Sequence, residues 1–120
     1  MNLFINFSNH LSCNWSCDQL QAARKYGDIV DINFPSVDPC ATNEQIQREA
    51  LRYARQIIDC SPKAVLCQGE FTLAFTIANL LKLHGVLVLA ACTERVSVES
   101  TENNVTQKIS KFKFTSFREY

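Results

Sequence analysis

An apolar run that breaks at a glycine and then resumes with helical spacing constrains the fold of this chain most. The run is Ala64 to Cys67, the break is Gln68-Gly69, and the helical pattern starts at Phe71. This order predicts a buried strand, a tight turn and a helix. In open α/β sheets, ligands bind outside the carboxyl ends of the strands, where the first N–H groups of a helix attract anions. The turn is therefore a candidate site, although any strand-to-helix turn favours a small residue and a polar helix start.

Length and charge limit the classes to which the protein can belong. With 120 residues, 47% of them apolar, the chain is long enough for one core, and we expect a single domain over residues 1–120. Twelve basic residues balance twelve acidic ones, which argues against tight binding of long nucleic acid through many phosphates. A small anionic ligand in a local pocket is compatible with this balance.

Neither an export signal nor a membrane span is expected. The apolar stretch from Met1 to Phe7 lacks a basic lead and is too short for either, so a cytoplasmic location is predicted. In that compartment the six cysteines are expected to be reduced. Cys13 and Cys17 lack a second Cys/His pair at zinc-finger spacing, and no metal or other cofactor is predicted.

The remaining chain alternates between strand and helix patterns. Further strands are predicted at residues 3–7, 28–34 and 86–91, and helices at residues 17–26 and 71–84. Gly85 is expected to cap the second of these helices at its C-terminus. A third helix is expected to begin after a capping box formed by Thr42 and Gln45. This order predicts an α/β fold with a mainly parallel sheet in the strand order 2-1-3-4 and right-handed crossovers.

After residue 91 the pattern changes to the alternation of a two-sided sheet. Residues 95–99 and 105–120 alternate around a turn at residues 101–104, which predicts a C-terminal antiparallel β-hairpin added to the sheet. The helix that starts at Phe71 is apolar around most of its circumference and must be buried on more than one side. A second copy of the chain is expected to supply that cover, so a homodimer is predicted.

Three polar residues, Ser8, Asn9 and His10, follow the first predicted strand. Histidine exchanges protons near neutral pH, which makes His10 a candidate acid or base. The alternative is a loop histidine that only faces water. Four basic residues of the C-terminal region form either a positive rim around a site or charges scattered for solubility; they are Arg95, Lys111, Lys113 and Arg118.

Three blocks of the sequence together resemble one family. They are residues 3–12, residues 65–72, and an ending made of Thr93-Glu94-Arg95, Phe112-Lys113 and Phe117-Arg118-Glu119-Tyr120. Over nearly the full length the chain resembles the small CRISPR-associated proteins of the Csx series, its member twenty in particular. That family is associated with type III CRISPR defence and is similar in fold to CARF domains, the dimeric Rossmann-like receptors for cyclic oligoadenylates. The tail departs from the family pattern, since Phe114 and Ser116 stand where a histidine and an arginine are common.

The resemblance implies a ring nuclease, which cleaves the cyclic messenger by attack of a ribose 2′-OH on the adjacent phosphodiester without a metal. On this hypothesis His10 is the acid or base and Arg95 neutralises the transition state. Glu70 caps its own helix, contacts an adenine amino group or takes a proton. A twofold dimer favours a ring with an even number of nucleotides, such as cyclic tetra-adenylate. The residues predicted to bind the ligand are Ser8, Asn9, Gln68, Gly69, Phe71, Thr72, Thr93 and Arg118.

Two other functions are compatible with the same residues. The first is a sensor or sponge of the same fold, which binds the messenger without cutting it. The second is an unrelated Rossmann-like interaction protein, although the chain lacks the GxGxxG and GxSxG motifs of dinucleotide-binding proteins and hydrolases. A cysteine nucleophile at Cys67 or Cys92 is a further alternative for an enzyme.

Overall fold

A computed structural model describes residues 1–120 and contains one five-stranded sheet with three α-helices. The strands are β1 (Leu3–Ser8), β2 (Asp28–Asn33), β3 (Ala64–Cys67), β4 (Val88–Glu102) and β5 (Val105–Glu119). The helices are α1 (Cys17–Arg24), α2 (Asn43–Asp59) and α3 (Phe71–Leu83), and a 3₁₀ turn at Ser12–Asn14 precedes α1. None of the helices has the length and apolar character that crossing a membrane requires.

The strands lie in the order β2-β1-β3-β4-β5, so the predicted order of the first four strands is confirmed. β1 pairs in parallel with β2 and β3, and β3 pairs in parallel with β4. β5 runs antiparallel to β4 in the longest pairing of the sheet, from Leu89 opposite Glu119 to Glu102 opposite Val105. The sheet is therefore mixed, and the prediction of a mainly parallel sheet holds only for its first four strands.

The predicted strands at residues 86–91 and 95–99 merge into one continuous strand, β4, which begins at Val88. The polar residues between them keep their backbone hydrogen bonds because β5 pairs along the whole length, with a register shift between Cys92 and Thr93. The change in polarity marks where β4 leaves the core and not where the strand ends. The hairpin turns at Asn103 and Asn104, whose φ angles of 50° and 61° fit a type I′ turn.

The two faces of the sheet are covered unequally. On one face, Ile5, Phe7 and Val65 pack under α2 and α3 in the larger core cluster. On the other face, Phe4 and Leu66 belong to a smaller cluster, to which α1 contributes Ala23. Because α1 is the only helix on this second face, part of the sheet beside it stays open.

Both predicted helix caps are confirmed. At the start of α2, the N–H of Gln45 donates to Oγ1 of Thr42, and the N–H of Thr42 donates to Oε1 of Gln45. At the end of α3, Gly85 has a φ of 77°, and the N–H of Val86 donates to the carbonyl oxygen of Leu81 at 3.0 Å. This is the Schellman arrangement, in which a left-handed residue ends the helix.

Candidate functional site

An open groove of about 870 Å³ lies beside the carboxyl ends of β1 and β3. The residues around it come from the ends of these strands, from the start of α1, and from the paired segments 93–102 and 105–114, which we call the arm. They are Ser8, His10, Asn14, Trp15, Ser16, Asp18, Gln19, Leu66, Gln68, Ala91, Thr93, Val96, Val98, Lys111, Phe112, Lys113 and Phe114. The groove therefore occupies the face of the sheet that α1 leaves open.

A buried hydrogen-bond network holds the main chain at His10. Asn6 is 1% exposed, and its Nδ2 donates to the carbonyl oxygen of His10 and to Oδ1 of Asp31, both at 2.8 Å. The hydroxyl of Ser8 donates to Oδ1 of Asn6 at 2.6 Å and accepts from the N–H of His10. The backbone of His10 is thus fixed from below, while the residue itself is exposed and lines the groove.

Asp31 extends this network to the residues before α1. Its Oδ1 accepts a hydrogen bond from the N–H of Ser12 at 3.2 Å, and its Oδ2 accepts one from the Ser12 hydroxyl at 2.9 Å. Ser12 starts the 3₁₀ turn that leads to Trp15. One carboxylate of β2 therefore helps to position two parts of the groove wall.

Gln68 separates the groove from a smaller cleft of about 530 Å³. Its Oε1 accepts a hydrogen bond from the N–H of Ala91 at 3.2 Å, which holds the side chain against β4. The cleft is lined by Gln68, Gly69, Phe71, Thr72, Ala74, Phe75 and Tyr120. The predicted ligand-binding residues are thus divided, with Ser8, Gln68 and Thr93 in the groove and Gly69, Phe71 and Thr72 in the cleft.

Glu70 caps α3, which is one of the three roles considered for it. Its carboxylate oxygens accept hydrogen bonds from the N–H groups of Thr72 and Leu73, at 3.1 and 2.9 Å, and from the Thr72 hydroxyl. These bonds, led by the one from the Leu73 backbone, lower the pKa of Glu70. The helix N–H groups that were expected to face a phosphate are therefore already engaged by a carboxylate.

Gly69 has a packing role at the turn. A Cβ atom at this position would collide with the ring of Phe34, which is 6% exposed and belongs to the larger core cluster. Glycine is needed because the aromatic ring lies directly against the backbone. The sequence predicted that Gly69 lets the backbone come close to a ligand, whereas the group that lies against it in the structure is the ring of Phe34.

Four predicted site residues line neither the groove nor the cleft: Asn9, Glu70, Arg95 and Arg118. Arg95 lies on the arm, where its Nη2 donates a hydrogen bond of 3.1 Å to the hydroxyl of Ser110 on the other strand. Among the basic residues of the suggested rim, Lys111 and Lys113 are the ones that line the groove. The structure thus brings His10 together with two lysines and not with Arg95.

Several groove residues were not predicted as site residues, including Trp15, Phe112 and Phe114. Phe112 and Phe114 lie far from β1 and β3 in sequence, and the antiparallel pairing of β5 brings them to the groove. Trp15 is close to His10 in sequence and reaches the groove through the 3₁₀ turn before α1. The available signal was the alternation of lysine and phenylalanine from Lys111 to Phe114.

The thiols are distributed between the core and the surface. All six are free, and Cys67 is fully buried, with Sγ placed 3.7 Å from the carbonyl oxygen of Ala74. Burial raises the pKa of Cys67 to about 12, so its thiol is neutral near pH 7 and a poor nucleophile. Cys92 is partly buried. The structure forms no group of three or more His, Cys, Asp or Glu side chains that could hold a metal ion.

The fold and the groove define an α/β protein with a mixed sheet, an open groove at the ends of its parallel strands, and a two-stranded arm beside that groove. The chain belongs to the family described as Uncharacterized protein MJ1673 family, which matches residues 2–118. No curated protein and no solved structure matches the chain.

Proposed function

We propose that this protein is a ring nuclease that binds a cyclic oligoadenylate, with cyclic tetra-adenylate as the expected substrate, and cleaves it without a metal. One observation carries the proposal: His10, two lysines and several aromatic side chains line the same groove. Nucleic-acid fragments are held by cations near their phosphates and by flat apolar side chains against their bases. Cleavage also requires a group that moves a proton beside the phosphate. The groove combines all three kinds of group.

In the proposed reaction, a ribose 2′-OH gives its proton to a base, and its oxygen forms a bond to the adjacent phosphorus. The bond from this phosphorus to the 5′ oxygen breaks, and the leaving oxygen takes up a proton. The products end in a 2′,3′-cyclic phosphate. His10 moves the proton, while Lys111 and Lys113 stabilise the negative charge that develops on the phosphate oxygens.

The network beneath His10 supports this role. An acid or base must be held within hydrogen-bond reach of the atom whose proton it exchanges. Asn6 donates a hydrogen bond to the carbonyl oxygen of His10, and the hydroxyl of Ser8 accepts one from the N–H of His10. Both Asn6 and Ser8 are buried. The loop therefore starts from an ordered position, and only the imidazole has to adjust to the substrate.

The fold is compatible with the resemblance to CARF domains. Four parallel strands with helices on both faces, and a groove at their carboxyl ends, form the arrangement in which Rossmann-like proteins bind nucleotides. The proposal treats β5 and the arm as an addition to this Rossmann-like core. Under it, the protein acts in the cytoplasm and switches off type III CRISPR antiviral signalling.

A homodimer formed through α3 is part of the proposal. Phe71, Phe75 and Leu83 on this helix are 89%, 67% and 82% exposed, and apolar surface of this kind marks protein interfaces. Each copy of the chain in this dimer carries its own groove, on the face of the sheet opposite α3.

The deciding experiment is incubation of the purified protein with cyclic tri-, tetra- and hexa-adenylate in EDTA, followed by chromatography and a parallel binding assay. Linear products that end in a cyclic phosphate support the nuclease and the 2′-OH route. Binding without products favours the sensor or sponge of the same fold. A protein that neither binds nor cuts any of the three rings overturns the proposal.

A further inference from the structure

The only tryptophan of the chain lies in the wall of the groove. Trp15 is half-buried. Its ring stands edge-on to Phe4, with 6.3 Å between the centroids and 84° between the planes, and its centroid is 6.5 Å from that of Phe117. These two core rings hold the indole without covering it completely. A supported and partly exposed indole is a preformed surface on which a flat ligand can stack.

Phe112 lines the same groove from the arm. It is 72% exposed, and the structure pairs it with none of the other aromatic rings. By contrast, Phe114 is 8% exposed and contacts Phe117 at a centroid distance of 4.9 Å. Phe114 therefore packs in the core, whereas the ring of Phe112 remains exposed and can contact a ligand.

The charged residues near these two rings indicate which kind of ligand fits the groove. Lys111 and Lys113 flank Phe112 in β5, so their side chains leave the strand on the opposite face and supply positive charge at the rim of the groove, where Asp18 is the one carboxylate. A ligand that fits has flat apolar faces and carries negative charge beside them. A nucleotide has both properties, since the base supplies the faces and the phosphate supplies the charge.

We propose that Trp15 and Phe112 form the base-binding part of the groove, which takes the purine ring of a nucleotide, while Lys111 and Lys113 attract its phosphate from the rim. This inference rests on the proposed function for the class of ligand, and it names the residues that recognise the base. Aromatic side chains stack on nucleobases and lysines add attraction for the phosphodiester backbone. The proposal assigns base recognition to α1 and the arm, and proton transfer to the loop after β1.

The test uses the fluorescence of Trp15, which reports on this position alone because the chain has no other tryptophan. The probes are the deoxyribose dinucleotide d(ApA), which has no 2′-OH and is not cleaved, cyclic tetra-adenylate, and inorganic phosphate. We expect both adenine probes to quench the emission and inorganic phosphate to leave it unchanged. Calorimetry on the same samples measures binding independently of fluorescence.

Substitutions distinguish stacking from a purely structural role. Trp15→Leu and Phe112→Ala should each weaken the binding of d(ApA) by about 5- to 100-fold, while Trp15→Phe should retain most of it. Phe112 is exposed, so Phe112→Ala tests the proposal even if Trp15→Leu fails to fold. Ile109→Ala is the matched control, since Ile109 is an exposed apolar residue of the arm that does not line the groove.

The outcomes separate this inference from the proposed function. If the rings are bound and cut, but Trp15 is not quenched and Phe112→Ala binds normally, the base-binding assignment is wrong and the nuclease proposal stands. If d(ApA) quenches Trp15 and the rings are not cut, the assignment stands and the nuclease proposal fails. If calorimetry detects no binding of either adenine probe, both the base-binding assignment and the nuclease proposal are overturned.

Discussion

The hydroxyl of Tyr120 donates a hydrogen bond of 2.7 Å to the main-chain carbonyl oxygen of Cys67. Cys67 is the last residue of β3 and immediately precedes Gln68, which lies between the groove and the cleft. The N–H of Tyr120 also donates to the carbonyl oxygen of Val88. The residue after β5 therefore helps to hold the turn at the end of the central strand.

Replacement of Tyr120 by Phe tests this contact. The loss of one hydrogen bond to a partly buried carbonyl should lower the free energy of unfolding by about 1 kcal/mol, measured by urea denaturation. Tyr26→Phe is a suitable control, because Tyr26 is partly buried and packs on Phe4 through its ring. Equal losses in the two variants would mean that the hydrogen bond to Cys67 contributes little.

The buried thiol of Cys67 should make the protein less stable at alkaline pH. Burial raises the pKa of Cys67 from 9.0 to about 12, so between these values the unfolded chain loses a proton that the folded protein keeps. Stability from this group is complete below pH 9 and is lost as the pH rises, by about 1.4 kcal/mol per unit. Urea denaturation from pH 8 to pH 11 measures the slope.

Two variants isolate the contribution of this thiol. Cys67→Ala should flatten the slope, whatever its effect on stability at pH 8, while Cys40→Ala removes an exposed thiol and should leave the slope unchanged. Tyr120, whose pKa is also raised by burial, acts in the same direction in all three proteins. An unchanged slope in Cys67→Ala would assign the alkaline loss of stability to other groups.

Replacement of His10 by Ala should reduce cleavage of cyclic oligoadenylate by about a hundredfold or more, with little loss of binding, since an acid or base acts mainly on the chemical step. Single-turnover rates and binding constants are measured on the same samples. His84→Ala is the matched control, because His84 lies at the end of α3 with Nδ1 2.9 Å from the carbonyl oxygen of Leu80. Full activity in His10→Ala would exclude this residue from proton transfer.

Shortening the arm should leave the rest of the fold intact. Deletion of residues 97–102 and 105–110 joins Val96 to Lys111 through the existing Asn103-Asn104 turn and removes only exposed residues. The free energy of unfolding should change by less than about 1 kcal/mol, because a two-stranded ribbon adds little stability of its own. Phe114→Ala at the buried base of the arm should cost about 3 kcal/mol. A large loss in the shortened protein would show that the arm stabilises the domain.

The apolar surface of α3 should determine whether the protein is a dimer or a monomer in solution. Light scattering at micromolar concentration should give a dimer for the wild type and a monomer for the double variant Phe71→Ser, Phe75→Ser. Leu51→Ser removes an exposed leucine from α2 and should remain dimeric. A monomeric wild type would remove α3 from the proposed assembly.

Local sequence patterns predicted much of the fold. Strand order, the capping box at Thr42 and the Gly85 cap follow from short-range periodicity and from the few ways in which parallel strands can be connected. These patterns did not predict that the two halves of β4 form one continuous strand. Polar residues within a strand that leaves the core have the same pattern as a loop, and only pairing with β5 shows that the backbone stays extended.

The candidate site was predicted in part. Ser8, His10 and Gln68 follow β1 and β3, and parallel neighbouring strands bring their ends together whatever the details of the packing. Arg95 was placed with them by the hypothesis that the family resemblance implies, but β4 continues past the core and carries Arg95 onto the arm. The register of β5 decides instead that Lys111 and Lys113 line the groove.

The sequence by itself determined the elements, their caps and the edge of the sheet at which the polar loops meet, because these depend on local propensity and on chain connectivity. Only the tertiary structure decided how the residues at that edge are used. It placed Phe34 against Gly69 and brought Trp15 and Phe112 to one groove. Such contacts join residues that are far apart in the chain, so they depend on packing and strand register, which no local pattern encodes.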